Sequence, residues 1–109
     1  MSESIKNSFP VQEEIGTQYL ILLNELRLGS NEALVNSIAY KRIAITLGLT
    51  NEQLDAQYEP NSSGLRQNIW ESRIRAARDH LKGKGLVEQT GKGWLITEIG
   101  IKRIEELNR

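Results

Sequence analysis

The chain has 109 residues, of which 39% are hydrophobic, and its 14 basic and 14 acidic side chains give a formal net charge of zero. A chain of this length makes one domain with a core of its own. It contains no cysteine and one histidine, His80, which excludes disulfides, thiolate metal sites and a zinc cluster, so we expect neither a metal nor a cofactor.

The sequence carries no signal for a membrane or for secretion. No apolar run approaches the ~20 residues that a membrane span needs. The N-terminus is polar and lacks the basic-then-apolar order of a signal peptide. We therefore expect a cytoplasmic protein that has no membrane partner.

The N-terminal half predicts two helices behind a short tail. Residues 1–10 are expected to be a flexible segment, and residues 11–109 a single folded domain. Apolar residues recur at helical spacing over 11–28, and a second helix should follow Asn31 and end at Gly48. The buried face of that second helix is expected to consist of Leu34, Ile38, Ile45 and Leu49, with Ala39, Ile43 and Leu47 beside them.

A short helix and a long helix are predicted next. Thr50 and Gln53 match a capping box, in which the two side chains bond backbone N–H groups at the start of a helix. Pro60 and the loop after it should end this short helix, and the long helix should cover about residues 65–82. Apolar residues recur along the long helix at steps of four, three and four: Trp70, Ile74, Ala77 and Leu81.

Glycines divide the last third of the chain into a hairpin and a final helix. Gly83 and Gly85 should end the long helix, and residues 86–97 contain two short runs of strand-forming residues. The Gly-Lys-Gly turn between them predicts a tight hairpin, from which Lys92 must point outward. Thr97 is expected to cap the final helix. The apolar stripe of this helix is Ile101, Ile104 and Leu107.

This order of elements is that of a winged helix-turn-helix, a mainly α fold with a small β-hairpin. In such a domain the helix before the hairpin can enter a DNA major groove, and the hairpin, or wing, lies along the neighbouring backbone or minor groove. Residues 1–64 hold four basic and eight acidic side chains, whereas residues 65–109 hold ten basic and six acidic ones. Because such a split points to a polyanionic partner, we predict a non-catalytic module that binds double-stranded DNA.

Eight side chains are predicted to contact DNA. Four on the exposed side of the long helix are of types that read base edges: Gln67, Asn68, Ser72 and Arg75. Three lysines are expected to contact phosphates: Lys82, Lys84 and Lys92. Arg78 is the eighth side chain that is predicted to contact DNA. The alternative for Arg78, Lys82 and Lys84 is a favourable interaction with the helix dipole.

Several other conspicuous residues favour structural roles. Arg73 lies beside the apolar stripe, where it would pair with a buried carboxylate, and Trp70 belongs to the core. Trp94 is either a core residue or a support for the wing. Glu71 and Asp79 would repel phosphate, which argues against indiscriminate binding. The chain offers no carboxylate pair in an apolar segment and no phosphate-cradling loop, so an enzyme is not expected.

The second half of the chain also carries a recognisable pattern. An arginine-containing helix leads through a glycine to a glycine-tipped wing, an aromatic return strand and an Ile-Thr-x-x-Gly sequence. The residues of this pattern are Ala77, Arg78, Leu81, Lys82, Gly85, Leu86, Val87, Gly93, Trp94, Ile96, Thr97 and Gly100. It resembles the N-terminal winged-helix domain of Mrr-type restriction proteins, over about residues 9–107. The resemblance implies a module that delivers a separate nuclease domain to DNA, often modified DNA.

The chain departs from that family in two respects. The metal-dependent nuclease domain of full-length members has no counterpart in these 109 residues, so we expect no cleavage by this chain and a nuclease domain or subunit acting in trans. The wing carries Lys92 where members commonly place an arginine, which keeps the charge but not the planar fork. The alternative function is a protein-interaction or dimerisation (adaptor) module, with a homodimer formed through the C-terminal helix.

Overall fold

The computed structural model of the chain describes residues 8–30 and 32–108, so residues 1–7 of the predicted flexible segment lie outside it. Within these residues the chain forms five helices and one antiparallel hairpin, which confirms the predicted mainly α fold. The elements are α1 (Gln12–Gly29), α2 (Asn36–Leu47), α3 (Asn51–Asp55), α4 (Ile69–Gly83), β1 (Val87–Thr90), β2 (Gly93–Ile96) and α5 (Glu98–Leu107).

Side-chain caps fix where two of the helices begin, as the sequence predicts. At α3, the Gln53 backbone N–H donates to the Thr50 hydroxyl at 3.1 Å, and the Thr50 N–H donates to the Gln53 side-chain oxygen at 2.8 Å. At α5, the Thr97 hydroxyl accepts from the Gly100 N–H at 3.1 Å and donates to the Gly85 carbonyl at 2.6 Å. The second of these bonds also ties the start of α5 to the end of α4.

The core forms around α1, which packs against α2, α4, α5 and β2. The predicted stripe of α4 is confirmed, because all four of its residues are buried. Trp70 is central: its indole N–H donates to the Tyr40 carbonyl at 2.9 Å, and its ring stacks on Phe9 with 6.2 Å between centroids. Phe9 is only 7% exposed. The packed domain therefore includes a residue that the sequence placed in the flexible segment.

The buried face predicted for the second helix is confirmed at Leu34, Ala39 and Ile43 and is wrong at Ile38 and Ile45. Ile38 and Ile45 point to solvent, with Ile45 77% exposed, whereas Ala39, Ile43 and Ala44 are buried. The small alanines let α2 lie close to α1 and α4. The apolar stripe of α5 is also used inside the domain, since Ile104 is buried and Ile101 packs against the core. Of the three residues of that stripe only Leu107 is exposed, and a homodimer through α5 stays a prediction.

The long helix begins at Ile69, four residues later than predicted, because Asn68 caps it. The Asn68 side-chain oxygen accepts from the Glu71 N–H at 3.0 Å, and its amide donates to the Leu54 carbonyl at 2.7 Å. The preceding residues run beside the segment that follows α3, where the Tyr58 N–H donates to the Gln67 carbonyl at 2.9 Å. These bonds join α3 to the start of α4.

Strand β2 of the wing is paired on both of its edges. Strands β1 and β2 pair from Val87 with Ile96 to Thr90 with Gly93. On the other edge of β2, Trp94 and Leu34 exchange backbone hydrogen bonds of 2.8 and 2.9 Å. Gly93 has a φ of +143°, and a Cβ there would lie 2.5 Å from the Leu34 carbonyl oxygen, so this close approach requires glycine.

Candidate nucleic-acid interface

The polar residues of α4 lie on two flanks and an outer side. One flank faces α2 and the wing and carries Arg75, Arg78 and Lys82, which we call the cationic flank. The outer side, opposite the buried stripe at about 100° per residue, carries mostly small side chains. These residues are Ser72, Ala76, Asp79 and Gly83.

Arg78 connects three elements of the fold. Its guanidinium carbon lies 4.5 Å from the centre of the Trp94 ring in β2. One terminal nitrogen donates to Asn36 at the start of α2 at 3.3 Å, and the other lies 2.9 Å from a carboxylate oxygen of Asp79. The Arg78 side chain is only 13% exposed. The helix, the wing and α2 therefore meet at this guanidinium.

The other two members of the cationic flank are more open to solvent. The ammonium of Lys82 lies 5.8 Å from the centre of the Trp94 ring, one turn beyond Arg78. Arg75 donates to the Tyr40 hydroxyl at 3.3 Å, and its closest approach to the Glu71 carboxylate is 4.0 Å. The Arg75 side chain is 37% exposed. Both cations are thus held beside α4 while remaining accessible.

Lys92 occupies the tip of the wing, as predicted, and is exposed. The turn that presents it is fixed by Thr90, whose hydroxyl accepts from the Lys92 N–H at 3.2 Å and donates to the Gly93 carbonyl at 3.0 Å. Trp94, which contacts the cationic flank, lies on β2 two residues after Lys92, which is in the hairpin turn. The wing tip and the flank are therefore linked through one short, doubly paired strand.

The remaining predicted contacts are not on the cationic flank. Asn68 lies outside the helix and is engaged as its cap, which corrects its expected position on the exposed helical face. Gln67 is exposed but precedes the helix, and Ser72 is half-buried near the outer side. Lys84 lies on the opposite flank, where it lines a cleft with His80 and residues of α1 and α5. Contacts of all eight residues with DNA stay predictions.

Arg73 makes a structural contact with an aromatic ring. Its guanidinium carbon lies 5.6 Å from the centre of the Phe9 ring, on the flank of α4 that faces away from the wing. A cation over an aromatic face is attracted by the ring quadrupole. Arg73 therefore helps to fix the N-terminal segment against α4.

Two basic residues near this surface were not predicted. Lys41 and Arg42 are exposed on α2, where Lys41 also lines a groove of about 600 Å³ between α2, α3 and the start of α4. The signal in the sequence was their adjacency, since they are half of the four basic residues in the first 64. Tyr40 and Asn36, which contact Arg75 and Arg78, could not be found this way because their role depends on the packing of α2 against α4.

A buried phenol lies beneath the cationic flank. Tyr19 of α1 is fully buried, and its hydroxyl has no hydrogen-bond partner among the described residues. Burial raises the pKa of this phenol well above its ordinary value; Arg78 opposes the rise, and Tyr40 and Asp79 add to it. Arg78, Tyr40 and Asp79 are therefore close enough to Tyr19 to interact with it electrostatically.

The arrangement of these elements defines a class of protein. A helix with one cationic flank, a wing joined to that flank at Trp94, and a third strand-like pairing at Leu34 make a winged helix-turn-helix domain. No three His, Asp or Glu side chains gather as metal ligands would in the part of the chain that the structure describes. Over the same residues, no helix combines the length and apolar character needed to cross a bilayer.

The comparison with protein families identifies the chain more closely. The sequence profile of the family described as Mrr N-terminal domain matches residues 17–106. The chain therefore belongs to the Mrr N-terminal domain family, which confirms the resemblance seen in its second half. No curated protein and no solved structure matches the chain.

Proposed function

We propose that this domain is a non-catalytic module that binds double-stranded DNA and directs a Mrr-type nuclease domain or subunit, acting in trans, to it. In this proposal α4 enters the major groove and the β1–β2 wing lies on the adjacent backbone. The observation that carries the proposal is the cationic flank of α4, which is joined at Trp94 to a wing that ends in an exposed lysine. Membership of the Mrr N-terminal domain family supports it.

Different side chains would have different tasks. Lys82 is exposed on α4 beside Trp94, and Lys92 is exposed at the tip of the wing. Exposed ammonium groups at these two places suit phosphate binding without base discrimination. Arg75 is the best placed to reach a base edge, because it lies nearer the start of α4 and remains partly open. Arg78, with three protein partners already, would act mainly by holding helix and wing together.

Salt-dependent binding to a duplex tests this proposal. Fluorescence anisotropy with a labelled duplex of mixed sequence would be measured for the parent, Lys82→Ala, Lys92→Ala and Lys102→Ala. Each lost phosphate contact should reduce the slope of log K against log salt by about 0.9. Lys102→Ala is the matched control, since it removes the same charge from an exposed position of α5. The proposal fails if the lysine variants bind as the Lys102→Ala control does.

Base reading requires a second comparison. Arg75→Ala should weaken binding by about 1–3 kcal/mol if the guanidinium meets a base edge. The same titrations on a duplex and its methylated counterpart would show whether modified DNA is preferred. Equal binding of Arg75→Ala and the parent on every duplex would assign base reading to other residues.

One observation favours the alternative of an adaptor module. Ile38 and Ile45 are exposed on one side of α2, and Ile45 also lines the groove between α2, α3 and α4. Exposed apolar residues beside a groove are typical of protein-binding surfaces. Sedimentation velocity with and without the duplex separates the two functions, because a dimer whose formation is indifferent to DNA would support the adaptor.

A further inference from the structure

Trp94 of β2 lies where the wing meets α4. Its N–H and its carbonyl both bond to Leu34, Gln89 of β1 lies opposite it in the hairpin register, and the residue is 4% exposed. A ring on such a strand has little freedom to move. It is therefore a fixed platform at the junction between the wing and α4.

Two cationic side chains of α4 contact the Trp94 ring. Arg78 and Lys82 are four residues apart, so they lie on the same side of the helix. Their charged groups lie 4.5 and 5.8 Å from the centre of the indole ring. Indole is the aromatic ring that attracts cations best. The two contacts hold the wing and the cationic flank in one relative orientation.

We propose that Trp94 is a positioning residue for DNA binding, whose indole orients Lys82 and locks the wing against α4 so that both bind the duplex as one surface. This inference rests on the proposed function. Trp94 itself is buried, so it would act through Lys82, Arg78 and the wing rather than by touching DNA. A rigid surface binds more tightly than a loose one because less conformational freedom is lost on binding.

The test compares two replacements of the ring. Trp94→Phe keeps an aromatic face, whereas Trp94→Leu fills much of the space without one. We expect Trp94→Leu to lower affinity for a mixed-sequence duplex about fivefold to tenfold, within the range of measured cation–π interactions, and Trp94→Phe to recover part of that loss. Ile104→Ala, a buried truncation in α5, serves as the control for lost stability. Thermal unfolding of each variant confirms that binding is measured on folded protein.

Coupling between Trp94 and Lys82 is the decisive measurement. In the parent, Lys82→Ala should lower both affinity and the salt slope; in the Trp94→Leu background the same change should have a clearly smaller effect. In the free protein, the side-chain protons of Lys82 next to the ammonium should show an upfield ring-current shift that Trp94→Leu abolishes and Trp94→Phe retains in part. A purely structural tryptophan beside Lys82 would produce the ring-current shift but not the coupling in DNA binding.

The outcomes separate this inference from the function on which it rests. If Lys82→Ala has the same effect with and without the indole, or if the Lys82 protons are unshifted in the parent, Trp94 is not a positioning residue, while DNA binding stands. If Ile104→Ala lowers affinity as much as Trp94→Leu does, the effect is one of stability and the inference is wrong. If the parent does not bind duplex at low salt, both proposals are wrong.

Discussion

The buried Tyr19 hydroxyl determines whether the substitution Tyr19→Phe raises or lowers the free energy of unfolding. This oxygen is sealed inside the domain and has no hydrogen-bond partner among the described residues. A buried polar group without a partner costs about 1–3 kcal/mol in desolvation. Tyr19→Phe removes that oxygen and keeps the ring in place. We therefore expect the free energy of unfolding to rise by about 1 kcal/mol, or roughly 4–8 °C in Tm for a domain of this size.

Tyr40 provides a matched control for the same chemical change. Its hydroxyl accepts a hydrogen bond from Arg75 at 3.3 Å. Tyr40→Phe should therefore lower stability by about 0.5–1.5 kcal/mol. Urea unfolding followed by tryptophan fluorescence measures both variants. If Tyr19→Phe is destabilising by as much as Tyr40→Phe, the Tyr19 hydroxyl has a bonding partner and the reasoning is wrong.

The pH dependence of stability gives an independent check on the same group. Burial raises the pKa of the Tyr19 phenol above its ordinary value of 10.0. Above that pH the unfolded chain releases the phenolic proton while the folded chain retains it, so stability falls as pH rises towards the folded pKa. Tyr19→Phe should lose less stability than the parent in this alkaline range. Parallel curves for the two proteins above pH 10.0 would contradict the prediction.

Three further substitutions test the framework that holds the site. Gly93→Ala should destabilise the wing, because the new Cβ would lie 2.5 Å from the Leu34 carbonyl oxygen; wild-type thermal stability would contradict this. Asn68→Ala should cost about 0.5–2 kcal/mol as a lost helix cap, measured against Gln67→Ala, which removes an exposed side chain and should be nearly neutral. Phe9→Ala should cost about 3 kcal/mol in urea unfolding; a neutral result would place Phe9 outside the core.

The sequence predicts the order of the elements well because their ends are set by local chemistry. The capping box at Thr50 and the cap at Thr97 use residues no more than three positions away, and Gly48 takes a positive φ of 70° at the end of α2. Such signals need no knowledge of the rest of the molecule. They also explain why the family pattern in the second half is readable from the residues alone.

Features that depend on tertiary contacts were missed. The start of α4 was placed too early because the cap at Asn68 is secured by a bond to Leu54, fourteen residues away. The buried face predicted for α2 is too wide, because Ile38 and Ile45 also have helical spacing and only the packing against neighbouring helices selects the side of Ala39 and Ile43. The Arg78–Trp94 contact joins two elements and follows no periodicity. The sequence therefore does not decide whether Trp94 is a core residue or a support for the wing.

The distribution of residues around α4 argues for a particular balance between affinity and specificity. The outer side, which would face the groove floor, carries Ser72, Ala76 and Asp79 rather than long side chains that reach base edges. Small residues permit close approach of the helix, and the repulsion between Asp79 and phosphate is offset by its pairing with Arg78 at 2.9 Å. The cations lie on the flank and at the wing tip, where phosphates would pass in the proposed complex. We therefore expect most of the binding energy to be salt-dependent and the discrimination between sequences to depend on few side chains, with Arg75 foremost.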